Sequence, residues 1–218
     1  MALVAGLALL SVGISIGGKW LGHSIALGGH TEDRTVWEIV IGNNVLAVPA
    51  NAIRFEDARR NGVTERLDLY LHWPDMDGYT AEHQDAFNNG SEERSILFLT
   101  LEEAVMSRDM SNRLAPIYRR LIEPQGRDLG NGLVAHAFTE KSGYRDEELV
   151  VGSGASPFVA RCLTGQAADE TLAPCGRDVR IGDELSLTYR FPRALLARGT
   201  SLDAAVQTYA QSLLRTQN

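Results

Sequence analysis

The stretch Glu65 to Trp73, ERLDLYLHW, alternates without a break. In an extended chain Leu67, Leu69, Leu71 and Trp73 fall on one side, and Arg66, Asp68, Tyr70 and His72 on the other. Such a strand belongs in a sheet that covers a core with one face and leaves its other face polar. Further strand candidates follow. SILFLTL (95–101) is more continuously apolar. GLVAHAFTE (132–140), EELVVGS (147–153), PFVARCL (157–163) and LSLTYRF (185–191) are four more, and CGRDVRIGDELSLTYRF, after a polar loop, begins a further strand region past Gly176. Near the start, VWEIVI and NVLAVP flank Gly42-Asn43. Gly and Asn tolerate the positive φ of tight hairpin turns, so this reads as a β-hairpin whose second strand ends at, or is edged by, Pro49. Two helices are predicted. MSNRLAPIYRRLI (110–122) begins near Ser111 or Asn112, has Pro116 in its first turn, and gathers Leu114, Ile117, Tyr118, Leu121 and Ile122 on one face. TSLDAAVQTYAQSLL (200–214) has Ser201 as N-cap, Asp203 in the first turn, and Leu202, Ala205, Val206, Tyr209 and Leu213 on one face. The expected fold is α+β: a mostly antiparallel sheet of about seven to eight strands with two packing helices, in one domain over residues 34–218. At 44% hydrophobic residues, 218 residues suffice for such a core plus an anchor.

The N-terminus differs from the rest. Ala2 to Gly18 carries no charge, and Lys19 and Trp20 follow at once. As a helix the run spans roughly 25 Å, a little less than a hydrocarbon core of about 30 Å. Lys19 snorkelling and Trp20 at the interface close the gap. The reading is a transmembrane or signal-anchor helix over residues 1–20, followed by a polar, Gly-rich tether over 21–33. An uncleaved anchor is preferred over a cleaved signal, because no basic residue precedes the apolar run. Lys19 and Arg34, taken alone, favour a cytoplasmic domain.

The cysteines argue for export. Cys162 and Cys175 enclose one polar loop, GQAADETLAP. They do not form a C-x-x-C, and no histidine stands at a short ligand spacing from either. A disulfide and two buried thiols remain. A bridge here would clamp the loop and stabilise by about 3 kcal/mol, and disulfides persist in oxidising compartments. With an export-type segment in front, the disulfide is the expectation. It places the chain in the bacterial inner membrane, single-pass through residues 2–18, with its C-terminal domain in the periplasm.

VWEIVIGNNVLAVPANAIRF, together with PFVARC and RIGDELSLTYRFPRALL, resembles an uncharacterised family of bacterial proteins with an N-terminal membrane anchor. The similarity runs over nearly the whole exported part, including both cysteines. It implies one N-terminal anchor and an exported domain, and carries over no activity and no functional residues.

Chemistry is sparse. The net charge of −7 speaks against nucleic acid as a partner, since neutralising phosphates needs a basic face. No Walker loop, G-x-G-x-x-G, H-E-x-x-H or G-x-S-x-G is present. The most suggestive loop is HWPDMDGYTAEHQDAF, which gathers His72, Trp73, Asp75, Asp77, Tyr79 and His83 as a candidate binding loop. An EF-hand reading fails because the twelfth residue from Asp75 is Ala86, not a glutamate. Asp75 to Gly78 read equally as a solvated turn. No metal ligand set and no cofactor are assigned. Arg177, Asp178 and Arg180 read as an exposed ion-pair network beside the cysteine loop, of the kind that contributes at most about 1 kcal/mol.

The function expected is a membrane-anchored periplasmic binding module without catalysis, whose partner is a protein or an envelope component. Two alternatives stand beside it. One is an envelope hydrolase or metal-dependent enzyme using the His72–His83 loop; the other is an immunity-like partner of a toxin.

Overall fold

The computed structural model describes residues 29–90, 94–154 and 157–215. The segment read as an anchor, 1–20, and the first part of the tether lie outside them. Among the described residues no helix is long and apolar enough to cross a membrane.

The chain runs β1 (Val36–Ile41), β2 (Asn44–Pro49), β3 (Gly62–Val63), β4 (Arg66–His72), α1 (Gln84–Phe87), β5 (Ile96–Glu103), α2 (Met110–Arg113), β6 (Ile122–Gly130), β7 (Leu133–Phe138), β8 (Glu147–Gly152), β9 (Val159–Leu163), α3 (Gly165–Asp169), β10 (Cys175–Ile181), β11 (Leu185–Phe191) and α4 (Gly199–Leu213). Eight strands form one antiparallel sheet in the order β4-β5-β11-β10-β9-β8-β7-β6, and β2-β1-β3 form a second, three-stranded one. The first hairpin pairs as expected, with Gly42 at φ 54° in the turn, Glu103 Oε1 lying 2.4 Å from where a Cβ would stand, and β2 an edge strand ending at Pro49.

One face of the large sheet carries the main core. Leu67, Leu69 and Leu71 of β4, Leu97, Leu99 and Leu101 of β5, and Leu185, Leu187 and Tyr189 of β11 are all buried there. Ile39, Ile41, Leu46 and Val48 of the small sheet and Leu202, Val206, Ala210 and Leu213 of α4 close it from above. The i, i+4, i+8 spacing of the helix residues puts them on one stripe, and each such large side chain stabilises by about 1.5–3 kcal/mol. The helix begins at Gly199, continuing a 3-10 turn over Arg193–Arg198. Ser201, expected as its N-cap, lies inside it and donates to the Arg198 carbonyl at 2.9 Å.

The helix predicted over 110–122 is not there as one element. Residues 110–122 make one α-turn, one 3-10 turn (Tyr118–Arg120) and then enter β6. The cap is Asp109, which accepts from the Asn112 N–H at 2.9 Å. Starting that early puts Pro116 beyond the first turn, where it lacks the N–H to continue. Met110, Leu114 and Tyr118 are nevertheless buried, in a small cluster with Leu149 and Val159 on the opposite sheet face. β6 went unpredicted because IEPQGRDLG shows no alternation. It is an exposed edge strand whose register slips on both sides of Gly126–Asp128, and Gly126 is needed where a Cβ would meet Val134 Cγ1 at 2.3 Å.

Cys162 and Cys175 are directly opposed on β9 and β10, fully buried and joined as a disulfide. The neighbouring arginine cluster differs from expectation. In β10 the inward positions are Cys175, Arg177, Val179 and Ile181, so Arg177 is buried at 5% exposure. It does not pair with Asp178. Its guanidinium forks onto Asp203 of α4, Nε to Oδ1 at 2.9 Å and Nη2 to Oδ2 at 3.1 Å. Nη1 donates to Ser111 Oγ and to the Val159 carbonyl, both at 2.9 Å, and the group lies over the Phe158 ring. Tyr189 also donates to Asp203, at 2.7 Å. Burial, then the Asp203 charge, pushes the Tyr189 phenol well above its ordinary value, so it stays a donor. Asp178 pairs with Arg113 and Arg180 with Glu184.

Candidate functional site

β4 carries its alternation to His72 and then folds back on itself. The Met76 N–H donates to the His72 carbonyl and the His72 N–H to the Asp77 carbonyl, both at 2.8 Å, with Met76 at φ 54°. The Trp73–Pro74 peptide is cis. Gly78 passes so close to the buried Asn51 that a Cβ would lie 2.3 Å from its carbonyl carbon and oxygen, so only glycine fits.

This reversal divides five of the six expected loop residues into two groups, while Trp73 packs, partly buried, against the main core. Asp77 and Tyr79 turn inward and hold the loop. Asp77 accepts from the Gly78 N–H at 2.8 Å and from Asn51 Nδ2 at 3.2 Å, and pairs with Arg34. Tyr79 is buried at 2% exposure and stacks on His30 at 4.7 Å, with Phe87 and Tyr70 against them. Burial raises the Tyr70 and Tyr79 phenols. Burial, then the Arg59 charge, lowers His30, which is hydrogen-bonded with the Tyr70 hydroxyl at 2.9 Å. The end of the expected tether is therefore docked on the domain. Gly29 accepts from Arg59, and Glu32 accepts from the Ala81 N–H at 2.7 Å.

The second group faces outward. His72 and His83 stack with ring centres 3.8 Å apart, and Asp75 reaches both, His72 Nδ1 at 2.9 Å and His83 Nε2 at 3.6 Å. His83 Nδ1 is held by Thr80 Oγ1 at 3.1 Å, which leaves Nε2 toward Asp75. One donor atom from each of His72, Asp75 and His83 lies within 4.8 Å of the others. Sequence spacing assigned no metal set here, because i, i+3, i+11 is no recognised ligand pattern; the backbone reversal alone creates it.

Beside these residues lies a cleft of about 500 Å³. His72, Trp73 and His83 line it together with Arg94, Leu195 and Arg198. Arg94 is fixed by a 2.9 Å bond to the Thr171 carbonyl in the disulfide loop. Nothing in the sequence ties Arg94 or Arg198 to this loop; the antiparallel return of β5 and the chain after β11 bring them. A second, smaller cleft of about 350 Å³ lies on the polar face, lined by Arg66, Asp68, Thr100 and Arg190 among others. Burial there would raise Asp68, but hydrogen bonds from Arg66 and Thr100 outweigh it and hold the carboxyl below its ordinary value.

No protein-family model matches the chain, and no curated protein matches it in sequence. Comparison with solved structures does find likenesses. The fold is similar to that of an immunity protein. This is Smlt3025 of the Stenotrophomonas maltophilia type IV secretion system, with a TM-score of 0.53 and 16% identity over 86% of this chain and 96% of that one. The iron-regulated outer membrane lipoprotein FrpD of Neisseria meningitidis aligns over 86% of this chain and 98% of its own, with a TM-score of 0.49 and 11% identity. At such identity the likeness to Smlt3025 is one of fold.

Proposed function

We propose that this chain is an exported, disulfide-clamped module that binds a protein partner through the cleft beside the Trp73 loop, held at the inner membrane by residues 2–18. The observation that carries the reading is the cleft itself. A loop locked from behind by Asp77, Asn51 and Tyr79 presents Trp73, two histidines and two arginines around about 500 Å³ of space. A rigid loop that presents aromatic and arginine side chains has the composition of an interface hot spot. The bridge between Cys162 and Cys175 and the apolar N-terminal run support export. The fold shared with an immunity protein favours an immunity-like role, with a toxin as the partner.

The test is site-specific photo-crosslinking in cells, with the reactive residue at Glu82 or Arg94 on the cleft and at Arg127 on the β6 edge as control. The cleft positions are expected to give an adduct of one defined mass and Arg127 none. Trp73→Ala is expected to reduce that adduct on the order of 30-fold, the effect of a hot-spot tryptophan. Adducts from Arg127 alone, or cleft adducts untouched by Trp73→Ala, would refute the site.

A further inference from the structure

We infer that His72, Asp75 and His83 form a binding site for one late first-row divalent cation of the zinc type. The inference goes beyond the partner-binding reading and is tested without any partner. Two imidazoles and one carboxylate are borderline donors. They suit Zn²⁺ and its neighbours rather than Ca²⁺ or Mg²⁺, which take oxygen ligands.

The geometry supplies the parts such a site needs. Three donor atoms lie within 4.8 Å of one another, and two of the separations, 2.9 and 3.6 Å, are close to the spacing of ligands around one ion at about 2.0–2.1 Å bond lengths. Thr80 Oγ1 holds His83 Nδ1, the outer contact that orients a ligating imidazole. The loop is anchored by Asp77 and Asn51, neither of which is a ligand. His72 and His83 both line the cleft, so a coordination position can open toward it, and Asp75 is half exposed. Arg94 and Arg198 line that cleft together with Glu82 and Asp85, so its charge is mixed. Imidazole binds an ion in the plane of its ring. The two rings are stacked at 13°, so they have to splay apart for both to ligate one ion.

The experiment is calorimetric titration of the purified, chelator-treated full chain with Zn²⁺, and in parallel with Co²⁺, whose visible absorption reports coordination. One ion per chain is expected, with Co²⁺ giving d–d bands. His83→Ala and Asp75→Asn are each expected to weaken Zn²⁺ binding at least about 10-fold and to abolish the Co²⁺ bands. His136→Ala, a histidine on β7, is expected to change neither. Circular dichroism of each variant separates loss of the site from loss of the fold; Asp75→Asn keeps the shape of the half-exposed side chain. No saturable one-to-one binding to the intact chain would overturn the proposal, as would binding that persists in folded His83→Ala and Asp75→Asn.

Discussion

Arg177→Ala is expected to cost about 3–5 kcal/mol of stability, the largest loss of any single substitution considered for this fold. The magnitude comes from what is left behind rather than from the contact removed. Asp203 would be left under α4 with only Tyr189 and Gln207 as donors. Ser111 and the Val159 carbonyl would each lose a donor as well. The fork from β10 to α4 is also the polar tie between the sheet and the C-terminal helix. In a domain of this size each kcal/mol moves the melting temperature by roughly 2–4 °C, so a fall of about 6–20 °C is expected. Arg177→Lys keeps the charge but loses the fork, and should fall between. The double variant Arg177→Met with Asp203→Leu should cost much less than the two single variants summed, because no lone charge stays buried. Urea denaturation of the five variants, Arg177→Ala, Arg177→Lys, the two single variants and their double, measures all of this. A loss below about 1 kcal/mol for Arg177→Ala would mean that water reaches Asp203 and that the pair is no different from a surface ion pair.

Removing the bridge should have the next largest effect. Cys162 and Cys175 are separated by 13 positions and fully buried, and the loop between them carries α3 and the carbonyl that fixes Arg94. The chain-entropy model gives about 3 kcal/mol for a loop of this length. The double variant Cys162→Ala, Cys175→Ala is therefore expected to melt roughly 6–12 °C lower than the oxidised chain. Because neither sulfur is exposed, mild reductant should leave the folded protein oxidised, and the bond should open only when denaturant is added. Thiol counts with and without denaturant, beside melting curves of the variant, give both results. A variant as stable as the oxidised chain would show that the β9–β10 pairing holds the loop without the bond.

Much of the architecture is legible in the sequence wherever period two is clean. ERLDLYLHW and LSLTYRF alternate because one sheet face is buried along its length, and each is a strand; SILFLTL, more continuously apolar, is a strand whose Ile96 and Leu97 are buried on opposite faces. The hairpin at Gly42 is legible for the same reason plus turn chemistry. β6 is illegible because an exposed edge strand owes nothing to a core and leaves no pattern. The 110–122 segment misleads because its apolar residues keep a helical spacing while Pro116 forbids the helix. Arg177 was misread although a signal existed: Cys175, Arg177, Val179 and Ile181 are one alternating set, so the arginine had to point inward with the others. The segment His72 to Phe87 is legible as a loop after a strand. Its division into Asp77 and Tyr79 as supports and His72, Asp75 and His83 as an outward cluster is not. That follows from a backbone reversal at Met76–Gly78, which depends on Asn51 in another part of the chain.

Export of a domain clamped by its disulfide is tested most directly by the state of its two thiols in living cells. The chain is labelled with a membrane-impermeant and then a permeant maleimide, before and after reduction, and modified cysteines are counted on the denatured protein. Cys162 and Cys175 reacting only after reduction is the predicted result, and it puts the partner in the envelope. Both cysteines reacting without reduction, and only with the permeant reagent, would contradict it: the domain would face the cytoplasm, and the partner would have to be sought there.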